Sequence, residues 1–153
     1  MWFGGPDGCD DGFMSAREVT FSVDGWPPVK NEAKSLLAPG HAHAERVSHL
    51  LEAARQAVGD CDDALFGSRP IGLELTLISP AEPPADATNF LGGVGDVLEA
   101  KGRRGPLDHL RELASVGLYE NDRHIHEVRY RWRQGSEIRY VVRLWELAAP
   151  APA

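Results

Sequence analysis

Two short acidic turns hold the residues best suited to chemistry in this sequence. The first, Asp86-Ala87-Thr88-Asn89, opens the apolar-patterned run Phe90-Leu91-Gly92-Gly93-Val94-Gly95-Asp96-Val97-Leu98. The second, Tyr119-Glu120-Asn121-Asp122, leads into a strand-like segment. A carboxylate just before a helix and another just before a strand can point into one shared cleft. Mg²⁺ prefers oxygen ligands, retains waters, and is commonly held by one or two carboxylates plus substrate phosphate. Such a metal activates water and stabilises charge during phosphodiester hydrolysis. Asp86 and Asp122 are therefore candidate metal ligands. Acidic residues at turns also serve as caps, and both readings stand on the sequence alone.

A second constellation is basic. Arg129, Arg131 and Arg133 alternate with Val128, Tyr130 and Trp132, and Arg139 and Arg143 alternate with Tyr140, Val142 and Leu144. Strand periodicity places these five arginines on one face and the apolar residues on the other. The face is either a solvated exterior or a surface for DNA phosphates. Lys101, Arg103 and Arg104 form a basic loop that could also hold phosphate. The His41-x-His43 pair and His49 lack the further ligands a metal site needs. Gly92, Gly93 and Gly95 do not make a phosphate loop, since no GxxxxGK[ST] pattern is present.

The elements that must position these residues follow from periodicity. Residues 19–23 alternate as a half-buried strand, and Trp26-Pro27-Pro28 is a stiff extended loop whose Trp serves as a packing anchor. Residues 44–58 carry Val47, Leu50, Leu51, Ala54 and Val58 at helical spacing and end at Gly59. Residues 71–78 are the clearest strand. A helix begins at Thr88, capped by Thr88 or Asp86, and its three glycines predict softness or the close approach of another backbone. Pro106 starts a further helix with Leu107, Leu110, Leu113 and Ala114 on one face. The last two strands are expected as a hairpin, with Arg133 opposite Arg139 and Trp132 opposite Tyr140.

The 153 residues suit one domain with a real core, expected over 17–147 between a disordered tail (1–16) and a flexible one (148–153). Met14 is an alternative start. No apolar run approaches the ~20 residues of a bilayer span, and no secretory leader is evident, so a cytoplasmic location without a membrane partner is expected. Cys9 and Cys61 show no metal or redox spacing and are expected as reduced thiols. The net charge of −7 argues against a general nucleic-acid binder. Residues 101–153, however, hold ten Lys/Arg against seven Asp/Glu, so a local basic face is retained.

Taken in order, these features resemble the RusA family of Holliday-junction resolvases over about residues 19–147. The carriers are Gly25-Trp26-Pro27-Pro28 with Asn31, Asp86-Ala87-Thr88-Asn89 with Asp96-Val97-Leu98, and Gly117-Leu118-Tyr119-Glu120-Asn121-Asp122 with Ile125. Residues from about 99 to 113 look like an insertion. The resemblance implies an α+β fold, a small mixed or antiparallel sheet with helices packed on one face. It further implies a homodimeric, Mg²⁺-dependent endonuclease that cuts branched DNA in recombination or repair. Asp86 matches the first Asp of the family's D-x-D-N motif, Asn89 its Asn, and Asp122 the last catalytic Asp. Thr88 stands in place of the second motif Asp, Gly92 in place of the helix Lys, and Asn121 in place of the first Asp of a D-D pair. Single charge-stabilising groups are worth ~10²–10³ in rate. Two functions therefore follow: a divergent nuclease, or a catalytically inactive RusA-like module that binds DNA or a protein.

Overall fold

The computed structural model describes residues 17–30, 44–59, 65–100 and 108–148. The expectations at 1–16, Asn31, His41, His43, Cys61 and the Lys101, Arg103, Arg104 loop lie outside these residues, as do 149–153.

Four strands form one mixed sheet in the order β1-β4-β2-β3. Strand β1 covers Glu18–Asp24, β2 Ile71–Ser79, β3 Ile125–Gln134 and β4 Arg139–Glu146. Pairing is antiparallel for β1 with β4 and for β4 with β2, and parallel for β2 with β3. Helices α1 (Ala44–Val58) and α2 (Ala87–Leu98) contribute Val47, Leu50, Leu51, Phe90, Val94 and Val97 to the same core as Leu73, Leu75, Leu77, Tyr140 and Val142 of the sheet. The fold is thus α+β, with a small mixed sheet and both helices on one face.

The strand alternation places one residue in two against the helices, as expected. The pairing of the last two strands differs from the expected hairpin. Strand β2 lies between them, and the four-residue link between β3 and β4 crosses its end. There Gly135 donates its N–H to the Ser79 carbonyl at 3.0 Å. Alternation fixes which face a side chain takes but not which strand lies alongside, so a straddled strand leaves the same pattern as an adjacent one. Trp132 therefore pairs with Leu77, and Arg133 and Arg139 flank Ile78 from either side.

The segment expected as a helix from Pro106 is instead a short run of 3-10 turns over Asp108–Ser115. It breaks at Arg111, whose φ is 54°. So short a segment gains too few hydrogen bonds to offset helix nucleation, and its apolar residues dock as turns. Leu110 is buried.

The glycines of α2 do admit another backbone. A Cβ on Gly93 would stand 2.1 Å from the Pro28 carbonyl oxygen, and Lys30 donates its backbone N–H to the Asn89 carbonyl at 3.1 Å. Trp26 stacks on Phe90 with ring centroids 6.3 Å apart, so the Trp-Pro-Pro loop is clamped along the helix. Gly95 has no such neighbour, its nearest being the Tyr119 hydroxyl at 3.8 Å. Gly93→Ala should therefore destabilise the fold by about 1–3 kcal/mol through overpacking. Gly95→Ala should stabilise it by up to ~1 kcal/mol through helix propensity. Urea unfolding of the two variants checks this opposition of sign.

Tyr140 is fully buried, and its hydroxyl has no hydrogen-bond partner among the described residues. Burial pushes its pKa far above the usual 10.0. Below pH 10 the phenol is neutral in both states; above it the unfolded chain ionises first, and stability falls as pH rises. Tyr140→Phe should raise stability by about 1 kcal/mol and flatten that alkaline loss. Thermal unfolding from about two pH units below the usual phenol pKa to about one unit above it would measure both.

Candidate functional site

Asp86 takes an extended conformation and caps α2. Its carboxylate accepts the Asn89 backbone N–H at 2.9 Å and the Thr88 hydroxyl at 3.0 Å. Thr88 thus supports the cap. Asp86, Thr88 and Asn89 are all exposed.

Asp122 lies at the other end of the same helix. Its backbone N–H donates to the Glu99 carboxylate at 2.8 Å, and Glu99 directly follows α2. The strand-like contact of Glu99 with Tyr119, together with the Leu118 N–H bond to the Leu98 carbonyl, fixes this end. Asn121 caps the 3-10 turn Asp122–His124 by accepting the Arg123 N–H at 3.0 Å. Asn121 is therefore itself a cap.

This arrangement sets the separation of the two carboxylates. A helix rises 1.5 Å per residue, so the twelve residues of α2 hold Asp86 and Asp122 roughly 18 Å apart along its axis. Carboxylates sharing one hydrated cation must lie within about half that distance. The structure keeps Asn89 with Asp86 but does not bring Asp122 to them. Among the described residues, no group of three or more His, Cys, Asp or Glu side chains could hold a metal ion. Among the described residues, the donor set does not fit the implied Mg²⁺.

The Lys30 side chain crosses Gly92, its Cδ 3.0 Å from where a Cβ would stand, and its ammonium pairs with Asp96 at 3.7 Å. A lysine from the Trp-Pro-Pro loop thus lies over Gly92 of α2.

The arginines are brought together as expected, though by different pairings. Thr20, Arg143, Glu74 and Arg129 form one row across the outer face of the sheet. Ser22, Val141, Thr76 and Arg131 form the next, then Asp24, Arg139, Ile78 and Arg133. Both helices pack on the opposite face. Arg143 pairs with Glu18 at 2.9 Å, Arg129 with Glu127 at 2.9 Å, and Arg131 with Glu74 at 3.7 Å. Among the described residues, Arg133 and Arg139 have no carboxylate within 4.0 Å. The Glu18 contact pushes the Arg143 pKa further up.

Trp145 organises this face and was not singled out by the sequence. Its ring lies over Gly72, where a Cβ would stand 2.2 Å from the ring. The Arg143 and Arg129 guanidinium carbons lie 4.5 and 5.5 Å from the ring centroid. These cation–π contacts restrain two of the five arginines. The signal lay in Gly72 facing Trp145 across two strands, which requires the register to be known.

No protein-family model matches the chain, and no curated protein matches it. No helix among the described residues is long and apolar enough to cross a membrane.

Loss of the Asp86 cap should weaken α2. Asp86→Ala should cost about 1 kcal/mol, whereas Asp86→Asn, an equally good cap, should leave stability nearly unchanged. Equilibrium urea unfolding of the two variants distinguishes them.

Proposed function

We propose that this chain is a RusA-like module that binds branched DNA through the outer face of its sheet, without carrying a complete metal site within one chain. The observation behind this reading is the row-by-row gathering of Arg129, Arg131, Arg133, Arg139 and Arg143 on a face that no helix covers. Phosphate neutralisation is the dominant, sequence-independent part of DNA affinity, and arginine forks match phosphate geometry. Exposed ion pairs are worth little, so Glu18, Glu74 and Glu127 hold their arginines in place without withdrawing them from a phosphate. Glu18, Glu74 and Glu127, with Asp24, limit affinity for plain duplex. The preference for branched DNA, and the homodimer, come from the resemblance.

The Mg²⁺-dependent endonuclease is supported by the order of the motifs and by Lys30 lying over Gly92. It is opposed by the placement of Asp86 and Asp122 at opposite ends of α2. Binding without cleavage is the reading that needs no rearrangement of the chain.

The test is fluorescence anisotropy with a synthetic four-way junction. Each phosphate contact contributes a slope of about −0.9 in log K against log salt, so five arginines give at most roughly −4.5. Arg139→Ala with Arg143→Ala, both on a central strand, should weaken the slope by about 1.8, while Arg55→Ala on α1 should leave it unchanged. Absence of binding at low salt would overturn the DNA reading. Cleavage in Mg²⁺ that is lost in Asp86→Asn would replace it with the nuclease.

A further inference from the structure

The outer face of the sheet has two chemically different ends. At one end Glu18, Trp145, Gly72 and Glu127 form a row, with Thr20, Arg143, Glu74 and Arg129 beside it. The Trp145 ring rests on Gly72, and the Arg143 and Arg129 guanidinium groups stand over the ring while pairing with Glu18 and Glu127. At the other end are Asp24, Arg139, Ile78 and Arg133, where neither arginine is paired with a carboxylate among the described residues. The two rows stand six residues apart along both β3 and β4. At the rise of a strand that is roughly 20 Å.

The unpaired arginines suit phosphate, and the Trp145 end suits a base. Flanking carboxylates work against an anion there, whereas a carboxylate accepts hydrogen bonds from the amino groups on base edges. An aromatic ring and guanidinium planes are the surfaces on which unstacked bases settle, and such stacking tolerates any sequence. The ring also lies outside the core. Trp145 is half-buried on the face opposite the helices, and only a glycine at position 72 leaves room for it.

We infer that Trp145, with Arg143 and Arg129 against it, is a stacking platform for an unpaired base of a DNA strand whose backbone runs on toward Arg131, Arg133 and Arg139. The DNA held by this face is then single-stranded where it crosses the sheet. Inside a duplex both faces of each base are covered by its neighbours, so a paired base has no surface to offer the platform. The inference rests on the DNA reading above and narrows it to an unpaired segment at or beside a branch.

The experiment is fluorescence anisotropy of the full chain with a labelled single strand of about ten nucleotides, a blunt duplex of the same length and a fully paired four-way junction. The single strand should bind more tightly than the duplex. Trp145→Leu should lower the ratio of single-strand to duplex affinity by about fivefold or more, the worth of one stacked base. If the ring served only to position its arginines, both affinities would fall together and the ratio would stay, which overturns the inference. Photo-crosslinking of an iodouracil-substituted strand to the wild-type chain needs no variant, and its adduct should map to Trp145. An adduct elsewhere, as on the exposed Trp132 of the opposite face, overturns the inference even if Trp145→Leu fails to fold. Junction and duplex bound with the single strand left free would do the same while the DNA reading stands. Failure of all three to bind at low salt removes that reading, and this inference with it.

Discussion

The central position of β2 governs this molecule. It is hydrogen-bonded on both sides, antiparallel to β4 and parallel to β3. A parallel neighbour cannot follow through a tight turn, because the chain must first return the length of the strand. Helix α2 makes that return. Its N-terminus consequently lies beyond the end of β2 and its C-terminus near the start of β3. Asp86 and Asp122, which bracket the helix, inherit that separation. The connection that makes the sheet mixed also parts the two residues that would have to meet for metal chemistry.

The same strand explains the arginine face. Strands β3 and β4 each carry alternating arginines, and each pairs with β2 in a register that keeps the arginines on the side away from the helices. Glu74 and Thr76 of β2 lie between the two sets, and Trp145 closes over Gly72 to hold Arg143 and Arg129. Restraint by an aromatic ring and by weak exposed carboxylates orders these side chains before any phosphate arrives. Less entropy is then lost on binding.

Helix α2 is unusual for a core helix in giving three of its twelve positions to glycine. Gly93 lets the Pro28 backbone lie directly on the helix, and Gly92 receives the Lys30 stem. The local cost in helix propensity is offset by docking the Trp-Pro-Pro loop, whose Trp26 stacks on Phe90. In this chain the glycines are therefore a packing device, and the basic side chain over Gly92 arrives from a segment distant in sequence.

The sequence alone determined the four strands, the two main helices and their faces. Residues 44–58, 71–78 and the run after Asp86 declared themselves by period, and the five arginines were assignable to one face because alternation in a strand is independent of its neighbour. A cap at Asp86 or Thr88 was legible from their place before an apolar run, and the structure selects Asp86. Tertiary structure decided everything that depends on which strand lies beside which. The link from β3 to β4 straddles β2 with no trace in the alternation, Trp145 meets Gly72 only through long-range register, and the segment after Pro106 forms broken turns because it is too short to offset helix nucleation. The distance between Asp86 and Asp122 belongs to the same class. Local spacing showed two acidic turns, but only the direction of α2 relative to the sheet could place them at opposite ends of it.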